Sequence, residues 1–117
     1  MSRTLIIVDT PPYGSWGGRE ALDMVFSLAA FDQEVSLLFL DAGVHWLRKG
    51  QAPEDIRQKS AERNLLAAPV FGVEALLADD GACQTYGLSE DRLLDGVTRV
   101  TADAALLAGF DHIAFAS

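Results

Sequence analysis

The order of the apolar runs constrains this chain more than any other feature. Short runs of β-branched and aliphatic residues, such as residues 5–8 and 34–40, alternate with stretches whose apolar side chains recur every three or four positions. The first pattern is typical of buried strands and the second of helices. Strands that alternate with helices favour a parallel sheet covered on both faces. We therefore predict one domain over residues 1–117, a three-layer α/β/α sandwich with a mainly parallel sheet of five strands.

End signals refine the predicted elements. Gly81 is expected to interrupt a short helix and Gly87 to end it, while Ser89 and Thr101 are expected to cap the helical segments that follow them. The strand order stays open, because right-handed connections alone allow several arrangements. The predicted strands cover residues 5–8, 34–40, 70–77, 97–100 and 112–115, and the predicted helices cover residues 18–31, 54–67, 79–86 and 102–109, with a helical turn at 89–94.

Charge and cysteine content exclude several classes of function. The chain has 17 acidic and 9 basic residues, a formal net charge of −8. Nucleic acids and anionic membranes are bound through clustered Lys and Arg, so we expect neither as a direct partner. The single cysteine excludes an intrachain disulfide and a Cys-rich metal site. No apolar run approaches the ~20 residues that span a bilayer, and we expect no signal segment before the first strand. We expect a soluble cytoplasmic protein without a bound metal or cofactor.

The loop at residues 10–20, after the first predicted strand, is the first candidate for a functional surface. Open parallel sheets meet ligands and partners beyond the carboxyl ends of their strands. This loop has neither the G-x-G-x-x-G fingerprint nor a Gly-Lys-Ser/Thr ending, so nucleotide binding is not favoured. An anion at the helix start beside Arg19 remains an alternative. We expect Tyr13 and Trp16 to form contact surface, because exposed loop aromatics often anchor interfaces.

Cys83 is the only possible thiol nucleophile. A reactive cysteine is partly exposed and lies near a cation or a helix N-terminus. Here the sequence neighbours Asp79 and Asp80 would raise the thiol pKa, and no Lys or Arg lies within five positions. A buried cysteine behaves as a small apolar side chain. We expect Cys83 to be buried and unreactive.

Two histidines and two aspartates complete the candidates. We expect a structural role for His112 in the last strand, and surface packing for His45 beside Val44 and Trp46. Asp9 and Asp41 each follow a predicted strand, where they could form a paired carboxylate site or separate Asx turns, and both interpretations remain open. No set of nucleophile, base and orienting group is evident.

Four segments carry a family resemblance. Residues 17–23 read Gly-Gly-Arg-Glu-Ala-Leu-Asp, and residues 39–47 read Phe-Leu-Asp-Ala-Gly-Val-His-Trp-Leu. Residues 50–53 follow as Gly-Gln-Ala-Pro, and residues 86–88 as Tyr-Gly-Leu. With this spacing the chain resembles the TusC/DsrF sulfur-relay family over its whole length, and TusC-type members most closely.

The resemblance implies an α/β/α subunit that joins TusB-like and TusD-like proteins in a dimer of heterotrimers. Such complexes pass persulfide sulfur through a TusE-like acceptor toward a tRNA thiolase, which forms the 2-thio group of 5-methylaminomethyl-2-thiouridine at the wobble position. The sulfur-accepting cysteine belongs to the TusD-type subunit, and TusC-type subunits are noncatalytic partners. The implied interface candidates in this chain are Tyr13, Trp16, Arg19, Val44, His45 and Trp46.

The resemblance also locates the sulfur-carrier position. In sulfur-carrying relatives the cysteine lies eight residues before the glycine of an Arg-Gly-Leu ending, and counting back from Gly87 reaches Asp79. Cys83 therefore does not inherit that role, and Thr85 and Tyr86 stand where relatives have basic residues. Three alternatives remain beside the noncatalytic subunit: a thiol sulfurtransferase acting through Cys83, a DsrF-type subunit of a sulfur-oxidation complex, and an independent anion sensor at the helix start of residues 17–18.

Overall fold

The computed structural model describes residues 3–9, 34–48 and 73–115. Five strands within these ranges form one parallel sheet in the order β4-β3-β2-β1-β5. This confirms the predicted five-stranded sheet and supplies the strand order that the sequence left open. The strands are β1 (Arg3–Val8), β2 (Glu34–Phe39), β3 (Val73–Asp79), β4 (Val97–Val100) and β5 (His112–Phe115).

Short helical segments connect these strands. The described helices are a 3-10 helix at Asp41–Leu47, α1 at Asp80–Thr85, a second 3-10 helix at Glu90–Arg92 and α2 at Ala104–Leu107. None of them is long and apolar enough to cross a membrane. The predicted loop at 10–20, the predicted helices at 18–31 and 54–67, and positions 70–72 of the predicted third strand lie outside the described residues.

The predicted interruption of the helix after β3 at Gly81 is wrong. Helix α1 runs through Gly81, because the Asp79 carboxylate accepts a hydrogen bond of 3.1 Å from the backbone N–H of Ala82 and so closes the first turn. The predicted stop at Gly87 is confirmed. Gly87 adopts a φ of 66°, in the left-handed region that glycine enters at no steric cost.

The predicted cap of the last helix is also wrong. Asp103, not Thr101, caps α2, because its carboxylate accepts a hydrogen bond of 2.9 Å from the backbone N–H of Leu106. Ser89 does stand at the N-cap position of the 3-10 helix at Glu90–Arg92, but its hydroxyl contacts the carboxylate of Asp91 instead of a backbone amide.

The core is divided by the sheet, because successive residues of a strand point to opposite faces. On the first face, side chains of β1 to β3 pack against Val44, Trp46 and Leu47 of the 3-10 helix and against the first turns of α1. On the second face, a smaller cluster packs against α2 and the residues around it. The sheet is therefore covered on both faces, as predicted. The second cluster contains Leu5, Ile7, Leu38 and Leu77, flanked among others by Leu106, Leu107 and Phe110.

Arg3 joins strand β1 to the neighbouring edge strand β5. Its Nη1 donates a hydrogen bond of 2.8 Å to the carbonyl oxygen of Gly109, and its guanidinium lies 4.7 Å from the ring centre of Phe110. The backbones of Arg3 and Asp111 add two more hydrogen bonds of 2.8 Å, one to the Asp111 carboxylate and one from the Asp111 amide. These contacts hold the amino end of the edge strand in register.

Candidate functional site

The candidate site is the carboxyl edge of the sheet, where β1, β2 and β3 end beside one another. The 3-10 helix at Asp41–Leu47 lies directly on the end of β1, and the backbone N–H of Leu40 donates a 3.0 Å hydrogen bond to the carbonyl of Val8. A Cβ at Gly43 would lie 2.0 Å from that same carbonyl oxygen. Only glycine lets the two backbones approach this closely.

The apolar residues of this 3-10 helix turn inward. Val44 is fully buried and Trp46 is only 3% exposed, and both belong to the core of the first face. The prediction that these two side chains are exposed contact surface is therefore wrong. They are buried because the 3-10 helix packs over the strand ends, where its apolar side chains complete the core.

His45 is the half-buried exception, and it pairs with a residue that sequence reasoning did not select. The rings of His45 and Tyr86 make an edge-on contact with centroids 4.5 Å apart and an interplanar angle of 64°. Tyr86 is 43% exposed. Burial, with a smaller contribution from the charge of Arg48, lowers the pKa of His45 below 6.5. No local pattern links these two rings, because the contact forms only when β2 and β3 pair.

Cys83 lies in the core. It is a residue of α1, is 0% exposed and belongs with its neighbour Ala82 to the core of the first face, which confirms the predicted burial. Burial is the largest cause that raises the pKa of the Cys83 thiol above 9.0, and the carboxylates of Asp80 and Asp79 raise it further. The charge of Arg99 opposes them. The sequence did not indicate this effect, because Arg99 is 16 positions from Cys83 and is brought near it by the pairing of β4 with β3.

Asp79, the position to which the resemblance assigns the sulfur carrier of active relatives, has its carboxylate in two backbone contacts. One oxygen accepts from Ala82 N–H at 3.1 Å, and the other accepts from Ala102 N–H at 3.3 Å. The side chain therefore joins the end of β3, the start of α1 and the segment after β4. These contacts give Asp79 a structural role.

The next residue, Asp80, also links neighbouring elements. The Asp80 carboxylate forms an ion pair of 2.5 Å with Nη2 of Arg99 and accepts a hydrogen bond of 3.0 Å from the Gln84 side chain. The edge between β3 and β4 is therefore built from polar contacts that hold elements together.

The remaining candidates do not form a recognisable catalytic group. Asp41 is exposed and adopts a φ of 47°, a left-handed conformation that Asp tolerates in turns. His112 is exposed at the start of β5. Over the three described ranges, no cluster of three or more His, Cys, Asp or Glu side chains could hold a metal ion. Tyr13, Trp16, Arg19 and the glycines at 17 and 18 lie outside these ranges.

Comparison with known sequences gives consistent matches. The model of the DsrE/DsrF-like family matches residues 2–115. A TusC homolog of Pseudomonas aeruginosa is 40% identical over 94 residues, which is 80% of this chain and 79% of that protein. The intracellular sulfur oxidation protein DsrF of Allochromatium vinosum is 36% identical over 84 residues, 72% of this chain and 62% of that protein.

Solved structures show the same fold at low sequence identity. The ychN protein of E. coli superposes with a TM-score of 0.77 at 22% identity, over 98% of this chain and 99% of that one. The Methanobacterium thermoautotrophicum protein MTH1491, described as a protein of unknown function, also gives 0.77 at 17% identity, over 97% and 99% of the two chains. These two proteins therefore share the fold of this chain despite their low sequence identity.

Proposed function

The chain belongs to the DsrE/DsrF-like family, and on this premise we propose that it is a noncatalytic subunit of a TusBCD-type sulfur-relay complex. The observation that carries the proposal is the burial of Cys83, the single cysteine of the chain. Sulfur transfer needs a thiolate that a donor persulfide can reach. A fully buried thiol with a raised pKa meets neither requirement.

The contacts of Asp79 support the same proposal. The carrier position of active relatives is occupied here by a carboxylate that accepts two backbone hydrogen bonds. An acceptor side chain at this point stabilises the start of α1 and cannot form a persulfide. The chain therefore needs a partner that supplies the sulfur-carrying thiol.

We place the complex in the cytoplasm, on the route that passes persulfide sulfur toward 2-thiolation of the tRNA wobble uridine. TusB-like and TusD-like chains would complete a dimer of heterotrimers, and a TusE-like protein would receive the sulfur. The 40% identity with a TusC homolog supports this route. The 36% identity with DsrF supports a variant in which the same kind of subunit serves sulfur oxidation.

The thiol sulfurtransferase alternative requires Cys83 to become accessible. The thiol would have to leave a core that includes Trp46, Leu88 and Leu93, which means that α1 must detach from the sheet. The anion-sensor alternative concerns residues 17–18 and stays a prediction.

Co-expression tests the proposal. The chain would be produced with TusB-like and TusD-like proteins of the same organism, and the native mass of the purified material would be measured. We expect a complex with two copies of each chain, and the same mass with Cys83→Ala. Purification of this chain as a monomer that ignores both proteins would overturn the proposal.

A further inference from the structure

The chain contains two Asp-Gly pairs, Asp80–Gly81 and Asp95–Gly96, which the structure places in very different backbone conformations. In an Asp-Gly pair the glycine nitrogen can attack the side-chain carboxyl carbon of the aspartate, since glycine has no side chain to obstruct the approach. A C–N bond forms, water leaves and a five-membered succinimide results. Water then opens the ring at either carbonyl, which restores aspartate or yields isoaspartate without any oxidant or reductant.

Asp95–Gly96 is the pair in an open turn. Both residues are exposed in the connection between Leu94 and β4. Gly96 adopts a φ of 86°, and apart from its own chain neighbours no atom lies within 4 Å of the position a Cβ would take. A shallow depression of about 270 Å³ opens beside the pair, lined by Glu90, Leu93, Leu94 and Val97. The turn therefore has room for the backbone rotation that ring closure requires.

Asp80–Gly81 is the same pair inside a helix. Its backbone belongs to α1, where ψ is near −42° in a regular helix and ring closure requires the first turn to unwind. Unwinding would break the 3.0 Å hydrogen bond from the Thr85 hydroxyl to the Gly81 carbonyl and the ion pair between Asp80 and Arg99. Asp80 and Asp95 both have interaction partners, so the difference between the pairs lies in the backbone.

We infer that Asp95–Gly96 is a site of spontaneous succinimide formation and isoaspartate modification, and that α1 protects Asp80–Gly81. Isoaspartate moves one side-chain methylene into the main chain between Asp95 and Gly96, and Gly96 is followed by Val97, the first residue of β4 and the partner of Leu76. The modification therefore lengthens the entry to an edge strand of the sheet.

Ageing of the full-length chain tests this inference. The folded protein is incubated at neutral pH, and isoaspartate is then detected with isoaspartyl methyltransferase and a labelled methyl donor, followed by peptide mapping at mildly acidic pH. We expect label in the Asp95 peptide to accumulate at least about tenfold faster than in the Asp80 peptide, because the helix must open before Asp80 reacts. The succinimide form appears as a species lighter by one water.

Two controls make the result decisive. In chain unfolded by urea both peptides should label at similar rates, which shows that the sequence alone does not distinguish them. Asp95→Glu keeps the charge, but its longer side chain could close only a six-membered ring. We therefore expect no methyl label in the peptide that contains residue 95 of this variant. Equal labelling of both pairs in the folded chain, or no label at Asp95 while the unfolded chain reacts, would overturn the inference.

Discussion

Two residues at the carboxyl edge of the sheet, Gly43 and Asp79, determine how the neighbouring backbone segments pack. Gly43 permits contact because it lacks a Cβ, and Asp79 accepts two backbone hydrogen bonds. Neither role depends on reactive chemistry. Both residues position the segments that follow β2 and β3, so the edge depends on steric fit and capping.

The close approach at Gly43 predicts a strong effect of a single methyl group. In Gly43→Ala the new Cβ would lie 2.0 Å from the Val8 carbonyl oxygen, so the 3-10 helix must move off β1. We expect the free energy of unfolding to fall by about 1–3 kcal/mol, as for overpacked sites. Urea unfolding followed by circular dichroism measures this change.

Gly81→Ala is the matched control. Its Cβ would meet only the Asp79 carboxylate, at 3.5 Å, and Gly81 lies within α1. Alanine is favoured over glycine in helices by roughly 0.5–1 kcal/mol, so this variant should be slightly more stable than wild type. Equal stability of Gly43→Ala and Gly81→Ala would contradict the close approach of Gly43 to the Val8 carbonyl.

His45 predicts how stability depends on pH. Its pKa is lower in the folded chain than the ordinary 6.5, because burial and Arg48 disfavour the imidazolium. The contribution of His45 to stability is therefore present above pH 6.5 and is lost as the pH falls through the lowered pKa. His45→Gln should lose less stability than wild type on acidification, as measured by unfolding at several pH values. An identical pH dependence in both proteins would contradict this assignment.

At the scale of elements, the edge strand β5 depends on Arg3 for its attachment. All four residues of β5 are exposed, Ile113 and Phe115 among them. Its main side-chain anchor at the amino end is the Arg3 guanidinium, through the Gly109 carbonyl and the Phe110 ring. The strand is therefore held more by its contacts with β1 than by burial.

Arg3→Ala should loosen this strand. The variant loses one side-chain hydrogen bond to Gly109, a cation–π contact with Phe110 and an exposed ion pair of 3.6 Å with Glu34. Exposed ion pairs add little, so we expect a loss of about 1–2 kcal/mol of stability. Hydrogen exchange by mass spectrometry should show faster exchange in residues 109–115 than in β2. Arg92→Ala, at an exposed position, should change stability by less than about 0.5 kcal/mol. Unchanged exchange in β5 of the Arg3 variant would contradict the proposed anchor.

The elements also show why local patterns predict some features and miss others. The runs that form β1, β2, β4 and β5 were readable because apolar and β-branched residues cluster there. The start of α2 was misplaced because Thr101 and Asp103 are both good capping residues, and only the folded backbone selects between them. Similarly, nothing near Trp46 in sequence indicates that its side chain joins the core of the first face.

At the scale of the whole molecule, the candidate site was only partly predictable. The burial of Cys83 was expected because an unreactive cysteine behaves as a small apolar side chain, and the structure confirms it. The proximity of Arg99 and the pairing of His45 with Tyr86 did not follow, because both contacts join segments brought together by strand pairing. Contacts between residues far apart in the chain produce no recognisable local pattern in the sequence.

At the same scale, the proposed subunit role does not require a reactive thiol in this chain. In the structure the Asp79 carboxylate caps α1, and the single cysteine, Cys83, lies in the core. A partner with its own carrier cysteine would supply the chemistry, and this chain would supply binding surface. We propose that surface includes His45 and the exposed Tyr86 at the carboxyl edge.

Sulfur transfer by the reconstituted complex tests the proposed subunit role most directly. The complex with TusB-like and TusD-like chains would be assembled with wild type or Cys83→Ala, given labelled persulfide from a donor, and its transfer rate to a TusE-like acceptor measured. We predict equal rates, with no labelled sulfur on this chain. Label on Cys83 of the wild type, together with loss of transfer in Cys83→Ala, would contradict a noncatalytic role.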